Sequence, residues 1–181
     1  MVVDATRELP AGYTPVLDEI FSTGHYLDSR VTPYYEAMYK AAKQDGVTLT
    51  PFSAYRSVAR QQISLDSLVN AYIAEGYSRE KAQAMAEKQI LPPGTSEHSL
   101  GLCVDIIETD TDFDTTRAFR WLQKHAHEYG FILRYPKDKE AVTGIVYEPW
   151  HWRFVGTDLA PKIRKSGLTL EEYLQQNGYL F

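Results

Sequence analysis

Between residues 34 and 44, Tyr35, Met38, Ala41 and Ala42 recur at helical spacing, and Asp45-Gly46 stops the run. Residues 47–55 are rich in strand formers. Ser57 is placed to cap a helix running to about Glu75, and Ser78, followed by Glu80 and Lys81, opens another whose apolar face is Ala82, Met85, Ala86 and Ile90. Leu91-Pro92-Pro93-Gly94 breaks that helix, and after a polar loop residues 100–107 read as a buried strand. Thr115 or Thr116 begins a helix with Ala118, Leu122, Ala126 and Tyr129 on one face, closed by Gly130. Strands are predicted near 131–134, 145–147 and 150–155, then helices near 158–166 and 169–176. Thr169 with Glu172 makes a capping-box pattern for the last. At the other end, Pro10, Gly12, Pro15, Gly24 and Pro33 mark residues 1–33 as an arm wrapped on the rest, with a short helix near 16–21. Helices come first and strands cluster late. The pattern predicts an α+β fold, with a mainly antiparallel sheet in one domain over residues 34–181.

Composition narrows the function classes. The 181 residues are 44% apolar and 24% charged, enough to bury a core and too ordinary for disorder or a fibre. Nineteen Lys and Arg stand against 24 Asp and Glu, a formal charge of -5 with no basic run to follow a nucleic-acid backbone, so no nucleic acid is expected as a partner. Thirteen Tyr, seven Phe and three Trp supply rigid amphipathic surface of the kind that lines grooves. The single Cys103 removes both an internal disulfide and a cysteine-based zinc cluster, so a metal site would use histidines and carboxylates. No stretch approaches the roughly 20 apolar residues of a membrane span, and Met1-Val2-Val3-Asp4 lacks a signal pattern.

Two stretches carry candidate chemistry. In Gly94-Thr-Ser-Glu-His98-Ser-Leu-Gly101-Leu-Cys-Val-Asp105, a polar loop supplies His98, and Asp105 sits in an otherwise apolar strand, where a carboxylate is costly without a compensating cation or strong donors. Alone, this reads equally as a hydrogen-bonded structural aspartate and an ordinary loop histidine. In Tyr147-Glu148-Pro149-Trp150-His151, the proline forbids a continuous helix, and Glu148 and His151 can share a site only if the chain bends there. Alone, this reads as a structural glutamate and a packed histidine. Together, His98, Asp105 and His151 form a ligand set suited to zinc, with a fourth position open to water and Glu148 as acid/base. His125 and His127 lie about 200° apart on a predicted helix and cannot grip one ion, and His25 stands alone. Gly94-Thr95-Ser96 is not a nucleophile elbow, and Cys103 in an apolar run reads as inert packing.

These motifs resemble those of VanY-type D-alanyl-D-alanine carboxypeptidases and the related L,D-carboxypeptidases of peptidoglycan. The resemblance extends through Ser53-Ala-Tyr55-Arg56-Ser57 with Gln61-Gln62, Tyr129 to Pro136, Thr143-Gly144 and Phe154-Val155-Gly156. It implies a small α+β zinc peptidase that trims the terminal D-alanine of peptidoglycan stem peptides. His98, Asp105 and His151 would then bind Zn2+, and Glu148 would be the catalytic base. Arg56 would hold the substrate carboxylate or the developing oxyanion, with Gln61 and Ser96 as polar contacts to the peptide. Trp150, Trp152 and Tyr55 read either as groove walls or as core. Cys103 departs from the family, which usually carries a small residue such as alanine there, and adds an oxidation or mis-metallation liability. The arm looks like the segment that follows a membrane anchor, so an extracytoplasmic location is expected, with a cytosolic one the alternative; a monomer is expected. The rival functions are an L,D-carboxypeptidase acting on tetrapeptide stems, a D,D-dipeptidase, a cell-wall amidase or endopeptidase, and a binding module without catalysis.

Overall fold

The computed structural model describes residues 1–4, 6–107 and 109–179. Ala5, Glu108, Leu180 and Phe181, which the predicted arm and domain include, lie outside the described residues. A hairpin of β1 (Leu17–Glu19) and β2 (Tyr26–Asp28) leads into α1 (Thr32–Gln44), followed by β3 (Pro51–Ser53) and the helical pair α2 (Val58–Ala74) and α3 (Arg79–Ala86). Then come a short 3-10 turn (Glu97–Leu100), β4 (Cys103–Ile106), α4 (Arg117–His125) and β5 (Phe131–Tyr135). Last are α5 (Glu140–Thr143), β6 (Glu148–Phe154), α6 (Ala160–Ser166) and α7 (Leu170–Gln176). Strands β3, β4, β6 and β5 form one antiparallel sheet in that spatial order. The fold is α+β, as the pattern predicts.

The local signals account for most boundaries. Ser57, Ser78 and Thr116 accept backbone N–H groups at the starts of α2, α3 and α4, and Thr169 and Glu172 complete a capping box on α7. Two expectations are corrected. Residues 16–21 form no helix: Leu17, Asp18 and Glu19 pair with Asp28, Leu27 and Tyr26, and the connecting turn places Phe21, Ser22 and Gly24 at positive φ, which a right-handed helix cannot hold. Residues 145–147 form no strand. β6 already lies between β4 and β5, and the Val146 N–H donates instead to the carbonyl of Lys88.

Alternation along the sheet separates core from chemistry. Val104, Ile106 and Trp152 face a core built with Tyr35, Met38, Phe113, Leu122 and Phe131. The opposite face carries Cys103 beside Arg153 and Asp105 beside His151 in register. Helices α2 and α3 close on each other through a small core of their own, Leu65, Val69, Ala82 and Ala86. The arm is tied in by backbone bonds from the Asp28 N–H to Gly101 and from the Tyr55 N–H to Tyr26.

Gly101, between the His98 turn and β4, has φ +69, and a Cβ there would sit 2.8 Å from the Asp28 backbone nitrogen. A left-handed non-glycine residue costs about 1–3 kcal/mol before any clash. Gly101→Ala is therefore expected to lose at least about 2 kcal/mol in urea unfolding with an unchanged slope; an unaltered midpoint would show that the arm yields freely.

Candidate metal centre and substrate pocket

The 3-10 turn that Ser96 caps through the His98 N–H delivers His98 to the sheet's open face. Its Nδ1–H donates to the Ala54 carbonyl at 2.7 Å, which turns Nε2 towards Asp105 Oδ2, 3.3 Å away. His151 Nδ1 lies 3.2 Å from Asp105 Oδ1 and 3.4 Å from Glu148 Oε2. Glu148 and His151 share the site because the pairing slips: Tyr135 opposes Glu148 and Leu133 opposes Trp152, so β6 bulges around Pro149. That is the bend the sequence requires.

His98, Asp105, Glu148 and His151 are all buried. Asp105 Oδ1 has no hydrogen-bond partner among the described residues. Two imidazole nitrogens and a carboxylate crowd one point, a donor set that fits zinc. Burial raises the Asp105 carboxyl, but His98 and His151 outweigh it and hold the group well below the usual carboxylate range. Burial dominates at Glu148 and pushes it up to about 8, with His151 opposing and Asp105 reinforcing. Two neighbouring carboxyls thus differ in proton affinity, as acid/base chemistry requires.

Arg56 reaches into the same pocket. Its guanidinium lies 3.6 Å from Asp105 Oδ2 and donates to Gln61 Oε1 at 3.0 Å and Ser53 Oγ at 3.2 Å. Gln61 in turn donates to the Leu91 carbonyl at 2.6 Å, so its amide orients Arg56 with both ends engaged. Ser96 lines the pocket while capping its own turn. The pocket encloses about 260 Å³, with Leu68, Ile90, Leu91, Ile145 and Trp150 as its apolar walls. That is slightly below the roughly 300–1,000 Å³ of most ligand sites, suited to the end of a peptide. Trp152 belongs to the core, and Tyr55, His25, His125 and His127 are not among the pocket-lining residues.

The sequence reading missed the charges beneath His98, Asp105 and His151. Glu97, fully buried, pairs with Arg134 at 2.9 Å and Arg153 at 2.6 Å, and its other oxygen lies 3.8 Å from His151 Nε2. Burial raises the Glu97 carboxyl, but the two guanidinium groups outweigh it and hold it far below the ordinary glutamate range. At that distance the carboxylate makes no hydrogen bond to the imidazole, but its charge lies on the side of the ring away from Asp105 and Glu148. Arg134, inside the apolar run Phe131-Ile-Leu-Arg-Tyr135, carried the same signal as Asp105. Cys103 is not merely packing: its sulfur comes within 4.8 Å of ligand atoms of His98 and His151.

The family VanY: D-alanyl-D-alanine carboxypeptidase matches residues 24–157. A D-alanyl-D-alanine carboxypeptidase of Enterococcus faecalis is 42% identical over 174 residues, which are 96% of this chain and 65% of that protein, so the chain spans just under two thirds of that relative's length. Among solved structures, the vancomycin resistance D,D-pentapeptidase VanY from a VanB-type cassette, in complex with Zn(II), superposes with a TM-score of 0.88 at 42% identity, covering 96% of this chain and 97% of that one. The LdcB LD-carboxypeptidase superposes with a TM-score of 0.82 at 35% identity, covering 96% of this chain and 84% of that one. With the family matched over most of the chain and the fold shared at this identity, the chain belongs to the VanY D-alanyl-D-alanine carboxypeptidase family.

Proposed function

We propose that this chain is a zinc-dependent D,D-carboxypeptidase that removes the last D-alanine from peptidoglycan stem peptides ending in D-Ala-D-Ala. The observation that carries the reading is the convergence, in one pocket, of His98, Asp105 and His151 with the high-pKa Glu148 and the Arg56 guanidinium. His98, Asp105 and His151 would hold zinc, which when bound supplies a Lewis acid for the scissile carbonyl and lowers the pKa of water. Glu148 takes the proton of the attacking water at a carboxylate oxygen and returns it to the departing amine. Arg56, held by Gln61 and Ser53, binds the terminal carboxylate through its planar fork and sets the register of the scissile bond. Gln61 and Ser96 contribute pocket wall and polar contact. The buried ligand face excludes bulk water and strengthens each charge interaction.

The D,D choice rests on relatives: the D,D-pentapeptidase is 42% identical to this chain and the LD-carboxypeptidase 35%. We take the chain to act as a monomer, with residues 1–33 bracing the catalytic unit over 34–181. A cell-wall substrate assigns the work to the extracytoplasmic side. No helix among the described residues is long and apolar enough to cross a membrane.

The test is mass-spectrometric product analysis of zinc-loaded and chelated protein with a stem pentapeptide ending in D-Ala-D-Ala and a tetrapeptide ending in one D-Ala. Zinc-dependent loss of one alanine from the pentapeptide is expected. Cleavage of the tetrapeptide alone would establish the L,D reading, and no cleavage of either would remove the exopeptidase assignment. In the same assay, Arg56→Ala is expected to lower kcat/KM by about 10²–10³-fold, as for loss of a charge-assisted clamp at the reacting end. Amidating the peptide terminus should erase most of the difference between the two proteins; an undiminished difference would mean that Arg56 does not read the carboxylate.

A further inference from the structure

The sheet offers the ion more donors than the three proposed ligands. Cys103 and Asp105 are two residues apart on β4, so both side chains leave the same face, opposite Arg153 and His151 of β6. Cys103 is completely buried. One ligand atom from each of His98, Cys103 and His151 falls within a sphere in which every pair is no more than 4.8 Å apart. The two imidazole rings meet edge to face, with centroids 4.9 Å apart. Asp105 Oδ1, buried beside them, lacks a hydrogen-bond partner among the described residues, which marks the point where the donors meet as short of a cation.

We propose that Cys103 is a further protein ligand of this metal centre, sharing His98 and His151 with Asp105 and giving the site a preference for thiophilic divalent ions. The proposal rests on His98 and His151 holding the metal, and adds a fourth protein donor, so that the water of the proposed hydrolase would enter as a fifth ligand. Ligation breaks the Cys103 S–H bond, forms a sulfur–metal bond and releases one proton to solvent, with no change of oxidation state. A thiolate is the softest donor the chain can offer, so it favours cadmium and zinc over harder ions and reinforces cobalt binding with a distinct absorption signature.

Cobalt(II) makes the test optical. Cys103 is the sole cysteine in the chain, so a thiolate-to-cobalt charge-transfer band in the near ultraviolet can arise from no other residue. With one cobalt bound per chain, the unaltered protein is expected to show this band, and Cys103→Ala and Cys103→Ser to lose it. Cadmium affinity, measured by competition with a chromophoric chelator, is expected to fall at least tenfold in both variants. One cobalt per chain with no such band, or equal cadmium affinities in folded variants, would overturn the role of Cys103 and leave the His98–Asp105–His151 reading standing. Failure of the unaltered protein to bind either ion would overturn both. The band in the unaltered protein decides the question even where a variant folds poorly.

Discussion

Glu148→Ala is expected to lower kcat on the D-Ala-D-Ala pentapeptide by about 10²–10⁴-fold, the range for loss of a positioned general acid/base, while the zinc content stays at that of the unaltered protein. Both halves follow from geometry. Glu148 Oε2 sits 3.4 Å from His151 Nδ1, at the edge of the proposed metal site, whereas His98, Asp105 and His151 can complete the donor set without it. Burial lifts the Glu148 carboxyl to about 8, so on its own it would hold its proton at neutral pH. A cation on the neighbouring ligands favours the ionised form. The acidic limb of kcat/KM in the zinc-loaded enzyme is therefore expected below pH 8, with the rate falling as pH drops and Glu148 takes up its proton. Steady-state rates across pH, with metal content measured on the same samples, check both statements. A variant that loses zinc along with activity would make Glu148 a ligand rather than the base.

Glu97→Gln should destabilise the folded chain by about 3–5 kcal/mol, the usual cost of removing one partner from a buried charge network. The amide keeps the size of the carboxylate and removes its charge. Arg134 would keep Glu171, at 2.5 Å, but Arg153 would lose its carboxylate, and both guanidinium groups are buried. At about 2–4 °C per kcal/mol for a chain of this size, the thermal midpoint should drop by roughly 6–20 °C. The pH dependence has a definite sign. Because the folded Glu97 carboxyl is held below its unfolded value, its contribution is complete above the unfolded value of about 4.3 and is lost as pH falls below that toward the depressed folded one. The gap between the two proteins should thus be full at neutral pH and narrow in acid. A drop under about 1 kcal/mol at neutral pH would place the pair in the class of solvated surface bridges.

Asp105 was legible because one carboxylate in an apolar strand demands a partner, and Glu148 and His151 because Pro149 allows them to share a side only through a bend. The structure supplies that bend as the bulge between the Leu133 and Tyr135 pairings. Capping residues with clear local chemistry, Ser57, Ser78, Thr116 and Thr169, placed four helices near their observed starts. The hairpin at 17–28 was not legible, since its turn holds Phe21 and Ser22 at positive φ, a conformation neither residue advertises. Arg134 carried the signal of a charge in an apolar run, but its partner Glu97 lies 37 residues away, and no local pattern pairs Glu97 with Arg134 or Arg153. The position of Cys103 beside the histidines follows only from the pairing of β4 with β6.

The pocket has two sides with different material properties. The sheet side is stitched to the main core, and the other is formed in part by α2 and the segment that follows α3; α2 and α3 cohere through Leu65, Val69, Ala82 and Ala86 without sharing that core. Leu68 and Ile90, packed on this smaller core, can accept substitutions at little cost to the face carrying His98, Asp105 and His151, while Gln61 of α2 still ties this side to Arg56. Reactivity and substrate size are thereby entrusted to separate parts of one small chain, so the length of peptide accepted can drift while the chemistry stays in place.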